Sequence, residues 1–321
     1  MNAQDHPHRP EIAPLPRPQT AAGAARRVGV EIELGGLPEE DVARLVADTF
    51  GGKVQEAQRG KLVSGTEVGD IEVYLDSRFL NEAKDGLAGR MRELAGSVVP
   101  VEIVTEPVSP LQIARLDHLM DALRGAGATG TRAGLFLGFG VHFNPEITSP
   151  TIDAILPVLT AFALAEDCLR EDAHIDLSRR VLPFVDPYPR GLIDALVKDP
   201  PADLTGLIDL YLHHAASRNY ALDMIALFTH LDRDRVAQKL DLAGVKGRPT
   251  FHLRLPDCRI DEADWSLALE WNRWVWVERI AGDDALMDRL RNAWRDHRDA
   301  LLTTRGDWAK RSRQLIEEAG H

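Results

Sequence analysis

The chain has 321 residues, of which 50 are acidic and 38 basic, giving a formal net charge of −12 at pH 7. This balance excludes the basic footprint that nucleic-acid-binding and membrane-surface proteins use, so we expect neither partner. The length allows one large domain or two modest ones, and a composition of 44% hydrophobic and 27% charged residues is ordinary for a soluble globular protein. Cys168 and Cys258 provide neither a disulfide framework nor a CxxC metal site, which predicts a reducing, cytoplasmic location.

The N-terminal residues 1–24 are rich in Pro and Ala and predict a disordered tail without a signal peptide. No run approaches 18 apolar residues, so no membrane span is expected. Residues 25–321 are expected to form a single domain of the α+β class. Within it, a helical insertion is predicted over about 149–245 and a helical C-terminal extension over about 263–321.

Hydrophobic periodicity predicts the elements in chain order. Strands are predicted at 28–34, 71–76, 101–105, 138–144 and 250–255. Helices are predicted at 37–52, 77–97, 110–126, 149–172, 189–198, 203–230 with a break, 232–242, 263–281, 283–300 and 305–319. We interpret the tryptophans of "WNRWVW" (271–276) as core packing, with a stacking platform for a base as the alternative.

Each predicted strand has an apolar face and a polar face. In "VGVEIEL" (28–34), the side chains of Glu31 and Glu33 point away from the apolar residues. The other strands add further polar side chains: Glu72, Tyr74, Asp76, Glu102, Glu106, His142, Asn144, His252 and Arg254. Carboxylates that face one another across strands destabilise a sheet. We therefore expect a bound cation on this face, with a plain solvated face as the alternative.

The residue types restrict the chemistry of this face. Carboxylates dominate and thiolates are absent, which favours Mg²⁺ or Mn²⁺ over Zn²⁺. Mg²⁺ usually arrives with substrate phosphates, so a nucleotide is expected, and Arg254 suits a phosphate oxygen. The sequence contains no Walker A motif, GxGxxG, HExxH or GxSxG. A nucleotide would therefore bind through metal ions on the sheet.

Five segments resemble, in order, the putative amidoligase family: "VGVEIEL", "YLDS", "VEIVTEP", "GVHFN" and "RPTFHLRLP". This family is a branch of the carboxylate–amine ligases related to glutamine synthetase and glutamate–cysteine ligase, and the resemblance covers roughly 26–280. It implies a glutamine-synthetase-like fold, in which a curved antiparallel sheet has helices on one face and a polar, concave face for ATP and metal. It also implies that ATP phosphorylates a carboxylate and that an amine attacks the acyl phosphate.

The resemblance implies roles for particular residues. Glu31, Glu33 and Glu102 match the metal-binding glutamates, and His142 matches a histidine near the metal and the ATP phosphates. The metal set is therefore Glu31, Glu33, Glu102 and His142.

By the same resemblance, ATP is expected to contact Glu33, His142, Asn144 and Arg254. Arg254 matches an arginine that faces the transferred phosphate, and Asp76 lies in an element near the substrate. The expected catalytic residues are therefore Arg254, His142 and Asp76.

Two positions depart from the family pattern. Asn144 stands where relatives often have a second histidine, and it can still ligate through its carbonyl oxygen. His252 stands where relatives often have a glutamate two residues before the arginine, and imidazole is a poorer ligand for Mg²⁺. The number of metal ions therefore stays open.

Several alternatives remain at this point. The chain is expected to join a small-molecule or peptide carboxylate to an amine, but another Mg-ATP phosphoryl-transfer enzyme, guanidino-kinase-like, or a non-catalytic nucleotide-binding or metal-binding relative would share these residues. Candidates for the general base are Glu72, Glu106 and Asp76. Arg218 and Asn219 either contact the carboxylate substrate or belong to a capped helix junction. An oligomer is compatible with the resemblance.

Overall fold

The structure is a computed structural model and describes residues 9–75, 99–131, 139–173 and 185–321. Within these residues the fold is α+β, with an antiparallel sheet of six strands in the order β2-β3-β4-β5-β1-β6. The strands are β1 Val28–Leu34, β2 Lys53–Glu56, β3 Lys61–Ser64, β4 Ile71–Leu75, β5 Val101–Thr105 and β6 Val141–Pro145.

The described helices follow the predicted order. A single 3₁₀ turn, Pro110–Gln112, leads into the second helix. The helices are α1 Glu39–Phe50, α2 Ile113–Gly125, α3 Ile152–Asp172, α4 Arg190–Lys198, α5 Leu204–His214, α6 Ile225–Leu231, α7 Arg233–Ala237, α8 Leu267–Ala281, α9 Asp284–Asp299 and α10 Arg305–Glu318. None of these helices combines the length and the apolar character needed to cross a membrane.

Strand β1 lies between β5 and β6, next to the last strand of the sheet. Its apolar side chains, from Val28 to Leu34, are at most 1% exposed, as the alternation in "VGVEIEL" predicts. Helix α1 packs against β3, β4 and α2, and α8 packs against α2 and α3. Helices therefore cover the apolar face, and the polar side chains of β1 are left on the opposite face.

Helix α8 also explains the tryptophan cluster. Trp271 packs edge-on against Phe143 of β6, with ring centroids 5.8 Å apart, and Trp274 packs on Phe251 at 5.2 Å. Both indole rings are fully buried. The interpretation as core packing is confirmed for these two residues.

The N-terminal segment requires a correction. Residues 9–24 are packed on the protein: Leu15 is buried in the core, Trp271 donates its indole N–H to the carbonyl of Ala13 (3.0 Å), and Ala21 donates its backbone N–H to Thr148 (2.8 Å). The prediction of a disordered tail is therefore wrong for 9–24, because a Pro-rich chain without regular structure can still dock through backbone groups and one apolar side chain. Residues 1–8 lie outside the described residues.

Two strand predictions also change. The hairpin of β2 and β3 was not predicted, and Gly60 in its turn has the positive φ of 64°. The segment predicted as a strand at 250–255 instead makes isolated bridges to β6, including reciprocal backbone hydrogen bonds between Phe143 and Leu253 (3.1 and 2.9 Å). It runs antiparallel to β6 without forming a regular strand. The predicted helix at 77–97 and residues 132–138 lie outside the described part of the chain.

Candidate functional site

The strand register decides which polar side chains meet. Glu31 lies opposite His142 of β6, and Glu33 lies opposite Glu102 of β5. Gly29 lies opposite Asn144. Directly opposed residues of antiparallel strands point to the same face of the sheet. The three predicted metal-binding glutamates, His142 and Asn144 therefore share one face.

The segment beside β6 adds the last two predicted positions. Because Phe143 pairs with Leu253, Asn144 lies beside His252 and His142 beside Arg254. The rings of His142 and His252 are 5.1 Å apart, centroid to centroid, in an edge-on arrangement. The structure thus places Arg254 on the face that Glu31 and Glu33 occupy, as predicted. Asp76 lies outside the described residues.

A chain of hydrogen bonds connects this group. Nδ1 of His142 lies 3.1 Å from Oε2 of Glu31, and Asn144 donates from Nδ2 to Oε1 of the same carboxylate (3.0 Å). Nδ1 of His252 lies 2.6 Å from Oδ1 of Asn144. All four side chains are buried. Two residues of β6 therefore hold the carboxylate of Glu31, and one of them, Asn144, also orients His252.

Three of these side chains form a candidate metal site. Glu31, His142 and His252 each offer one ligand atom, and within the described residues these atoms lie within 4.8 Å of one another. His252 was predicted on the polar face but was not among the predicted metal ligands. The structure places it beside Glu31 and His142.

Burial and nearby charge set the protonation of this group. Burial alone would raise the pKa of Glu31, but the hydrogen bond with His142, the neighbouring imidazoles and Arg248 hold that pKa well below its usual range. Burial lowers the pKa of His252 well below its usual value and outweighs the attraction of Glu31. At neutral pH the site therefore combines an ionised carboxylate with a neutral imidazole at position 252.

Arginines surround the metal group. Nη1 of Arg248 lies 3.4 Å from Oε1 of Glu31, and its side chain is about half exposed. Arg218 donates from Nε to Oδ2 of the fully buried Asp223 (3.1 Å). Burial raises the pKa of Asp223, although Arg218 and Arg254 both attract its charge. This cationic rim lies next to the acidic face and suits an anionic ligand.

The glutamates toward β5 form a second group. Glu33 accepts a hydrogen bond from the backbone N–H of Gly140 (2.8 Å) and directly faces Glu102, which is 2% exposed. The hydroxyl of Tyr74 hydrogen-bonds to Glu102, and the guanidinium of Arg59 lies 3.9 Å above the ring of Tyr74. Burial and the charge of Glu102 raise the pKa of Tyr74. Tyr74 therefore stays a neutral donor to this carboxylate.

Two of the three candidates for the general base, Glu72 and Glu106, lie within the described residues. Glu72 lies opposite Val104 and is exposed. Glu106 accepts a hydrogen bond from the backbone N–H of Asp70 (3.2 Å), which is a structural contact. Neither residue is placed against the metal group.

No role was predicted from the sequence for Arg248 or Asp223. A signal for Arg248 was present, because it begins "RPTFHLRLP" and lies an even number of residues before His252 and Arg254. This spacing places all three on one side of an extended segment. Asp223 had no such signal, because it lies on a loop that reaches the site through backbone contacts of the folded chain. The N–H of Asp223 donates to the carbonyl of His252 (2.9 Å), and the N–H of Arg254 donates to the carbonyl of Ala221 (2.8 Å). Arg218, one of the two residues proposed at the helix end, does lie beside Asp223.

Comparison with known proteins identifies a family. A family model described as "Putative amidoligase enzyme" matches residues 24–276. The matched span includes the sheet and the segment that places His252 and Arg254 beside β6. No curated protein matches the chain.

Proposed function

The chain belongs to the putative amidoligase enzymes, and we propose that it is an ATP-dependent ligase that joins a carboxylate to an amine through an acyl phosphate. The observation that carries this proposal is the polar face of the sheet. Glu31, Glu33 and Glu102 share that face with His142 and Arg254. The family resemblance implies metal-binding roles for the glutamates and His142, and a phosphate-binding role for Arg254.

The pair of Glu33 and Glu102 fits a hard cation. These carboxylates face each other across β1 and β5, and Glu102 is almost fully buried. Opposed like charges destabilise a sheet, and a cation between them would offset that repulsion. Oxygen donors are the ligands that Mg²⁺ prefers, so these two residues would hold Mg²⁺. When bound, Mg²⁺ would neutralise charge on the β- and γ-phosphates of ATP.

The arginines suit the anionic partners of this reaction. Arg254 lies beside His142, and its guanidinium feels the negative charges of Asp223, Glu33 and Glu31. Guanidinium groups bind phosphate and carboxylate oxygens through charge-assisted hydrogen bonds. Arg254 would face the transferred phosphate, and the partly exposed Arg218 would orient the substrate carboxylate.

Phosphorylation is the chemically necessary step, because a carboxylate has no leaving group that an amine can displace. The residues of the face bind, orient and screen charge, and that accounts for most of catalysis in phosphoryl transfer. We propose a glutamine-synthetase-like fold with a concave ATP face, a cytoplasmic location, and small-molecule or peptide substrates.

Release of ADP tests the proposal. Full-length protein is incubated with Mg²⁺, ATP and a panel of carboxylates and amines, and mass spectrometry identifies the product. We expect ADP release that depends on both substrates and falls at least about tenfold in Glu33→Gln, the loss expected for one electrostatic contact to the phosphates.

The matched control is Glu317→Gln, an exposed carboxylate on α10, which keeps wild-type activity. Activity that is equal in Glu33→Gln and Glu317→Gln contradicts the site. Absence of ADP release with every pair of substrates contradicts the proposed reaction.

A further inference from the structure

The group of Glu31, His142 and His252 has a donor set that differs from the acidic pair beside it. We propose that these three residues bind a first-row transition metal ion of the Zn²⁺ type in preference to Mg²⁺ and without nucleotide. This inference goes beyond the proposed function, because it concerns a metal site that the protein holds whether or not ATP is present.

The geometry suits one ion. The three residues come from β1, β6 and the segment at 250–257, which lie side by side. Their ligand atoms are within 4.8 Å of one another, and each residue is at least nine-tenths buried. Ligands about 2.1 Å from a tetrahedral ion are roughly 3.4 Å apart, so small side-chain movements of about 1 Å close the site. Three protein ligands leave an open position for water or substrate.

The hydrogen bonds prepare His252 for ligation. A carboxylate only accepts hydrogen bonds, so the Asn144 atom that bonds to Glu31 is Nδ2 (3.0 Å). The other atom, Oδ1, is then an acceptor, and Nδ1–H of His252 donates to it (2.6 Å). In a neutral ring this leaves the lone pair on Nε2. Histidines that bind metals are held by such a partner on the second nitrogen, so Asn144 is a positioning residue.

The donor types set the preference. Mg²⁺ requires oxygen ligands in a nearly ideal octahedron, whereas imidazole suits Zn²⁺ and its first-row neighbours. A carboxylate at position 252, which the family resemblance would imply, would add a second negative charge toward the ion. With His252 the site has one negative charge and two nitrogen donors. Mg²⁺ loses electrostatic attraction, while transition ions keep strong bonds to nitrogen.

Calorimetric titration of the metal-free, full-length protein tests the proposal, with ZnCl₂, MnCl₂ and MgCl₂ as probes and no nucleotide. We expect one Zn²⁺ per chain, bound at least about tenfold more tightly than Mg²⁺. Pulsed electron paramagnetic resonance of the Mn²⁺-loaded wild-type protein should detect imidazole nitrogen at the metal. This readout needs no variant.

Variants separate the ligands from general effects of substitution. His252→Glu should weaken Zn²⁺ binding and strengthen Mg²⁺ binding, which inverts the preference. Asn144→Leu keeps all three ligands and should lower Zn²⁺ affinity by about 10- to 100-fold. The control His118→Gln removes an exposed histidine on α2 and should change nothing. Circular dichroism verifies that each variant is folded.

Mg²⁺ binding as tight as Zn²⁺ binding in the wild type, or bound Mn²⁺ without nitrogen ligands, overturns the proposal. These results are independent of ADP release, so a failure here does not affect the proposed reaction. In the same way, a protein that binds Zn²⁺ at this site but releases no ADP contradicts only the proposed function.

Discussion

A buried ion pair connects the residues just before β1 to helix α8. Arg26 donates two hydrogen bonds to the carboxylate of Glu278 on α8 (2.8 and 2.7 Å). It also donates to the carbonyls of Glu146 (2.7 Å) and Arg17 (2.9 Å), and the indole of Trp274 donates to Glu278 (2.8 Å). Arg26 is 2% exposed and Glu278 is 7% exposed. Replacement of Arg26 by Met removes the positive charge and keeps most of the volume.

The loss of stability in Arg26→Met follows from the charged group that stays buried. In Arg26→Met the carboxylate of Glu278 stays buried without its counter-ion, and breaking such a pair costs about 3–5 kcal/mol. The double variant Arg26→Met/Glu278→Leu removes both charges, and such replacements are often close to neutral. The backbone carbonyls and the indole that lose partners leave a cost of about 1–2 kcal/mol. We therefore expect the double variant to be more stable than the single variant.

Urea denaturation followed by tryptophan fluorescence measures these differences at pH 7.5. The control is Arg27→Met, the exposed neighbouring arginine, for which we expect a change within about 0.5 kcal/mol. The reasoning is refuted if Arg26→Met costs no more than this control. It is also refuted if the double variant is less stable than the single variant, since removal of the second charge would then bring no relief.

Two further predictions concern the stability of the fold. Burial raises the pKa of Glu166 from its ordinary value of 4.5 to about 7. The folded protein therefore binds a proton more tightly than the unfolded chain, and stability declines by about 3 kcal/mol as pH rises from about 4.5 through 7. Glu166→Gln should remove this decline in urea titrations at pH 5 and 8, and an unchanged slope would contradict the assignment. Gly60→Ala would place Cβ 2.3 Å from the carbonyl oxygen of Val73 at a φ of 64°, so we expect a loss of about 1–3 kcal/mol. In Gly65→Ala, also at positive φ but with no atom within 4 Å, only the backbone cost of about 1 kcal/mol remains; equal thermal shifts would be inconsistent with the clash.

Much of the fold follows from periodicity. The alternation in "VGVEIEL" correctly predicts a strand with a buried apolar face, because successive side chains point to opposite sides. The hairpin of β2 and β3 escaped prediction because its strands have four residues each and little apolar alternation. The docking of Leu15 also could not be predicted, since local sequence does not reveal which surface receives an irregular segment.

The alternation of side chains along each strand also predicted that the site residues, including Glu31, Glu33 and His142, lie on one face. Alternation does not give the register between strands, and the register decides that Glu31 meets His142 while Glu33 meets Glu102. The role of Asn144 as a bridge between Glu31 and His252 depends on side-chain geometry. The sequence therefore predicted which strand residues share the face, but it predicted neither Arg248 and Asp223 nor the separation into an acidic pair and a histidine-containing group.

The most direct test of the account is calorimetric binding of ATP to the wild-type protein and to Glu31→Gln/Glu33→Gln, each with and without Mg²⁺. The account predicts that Mg²⁺ strengthens ATP binding to the wild type. It also predicts that the double variant loses this Mg²⁺-dependent gain, because the sheet face no longer presents the carboxylates that the cation bridges to the phosphates. A folded double variant with unchanged Mg²⁺-dependent affinity would contradict the assignment of the polar face as the nucleotide site.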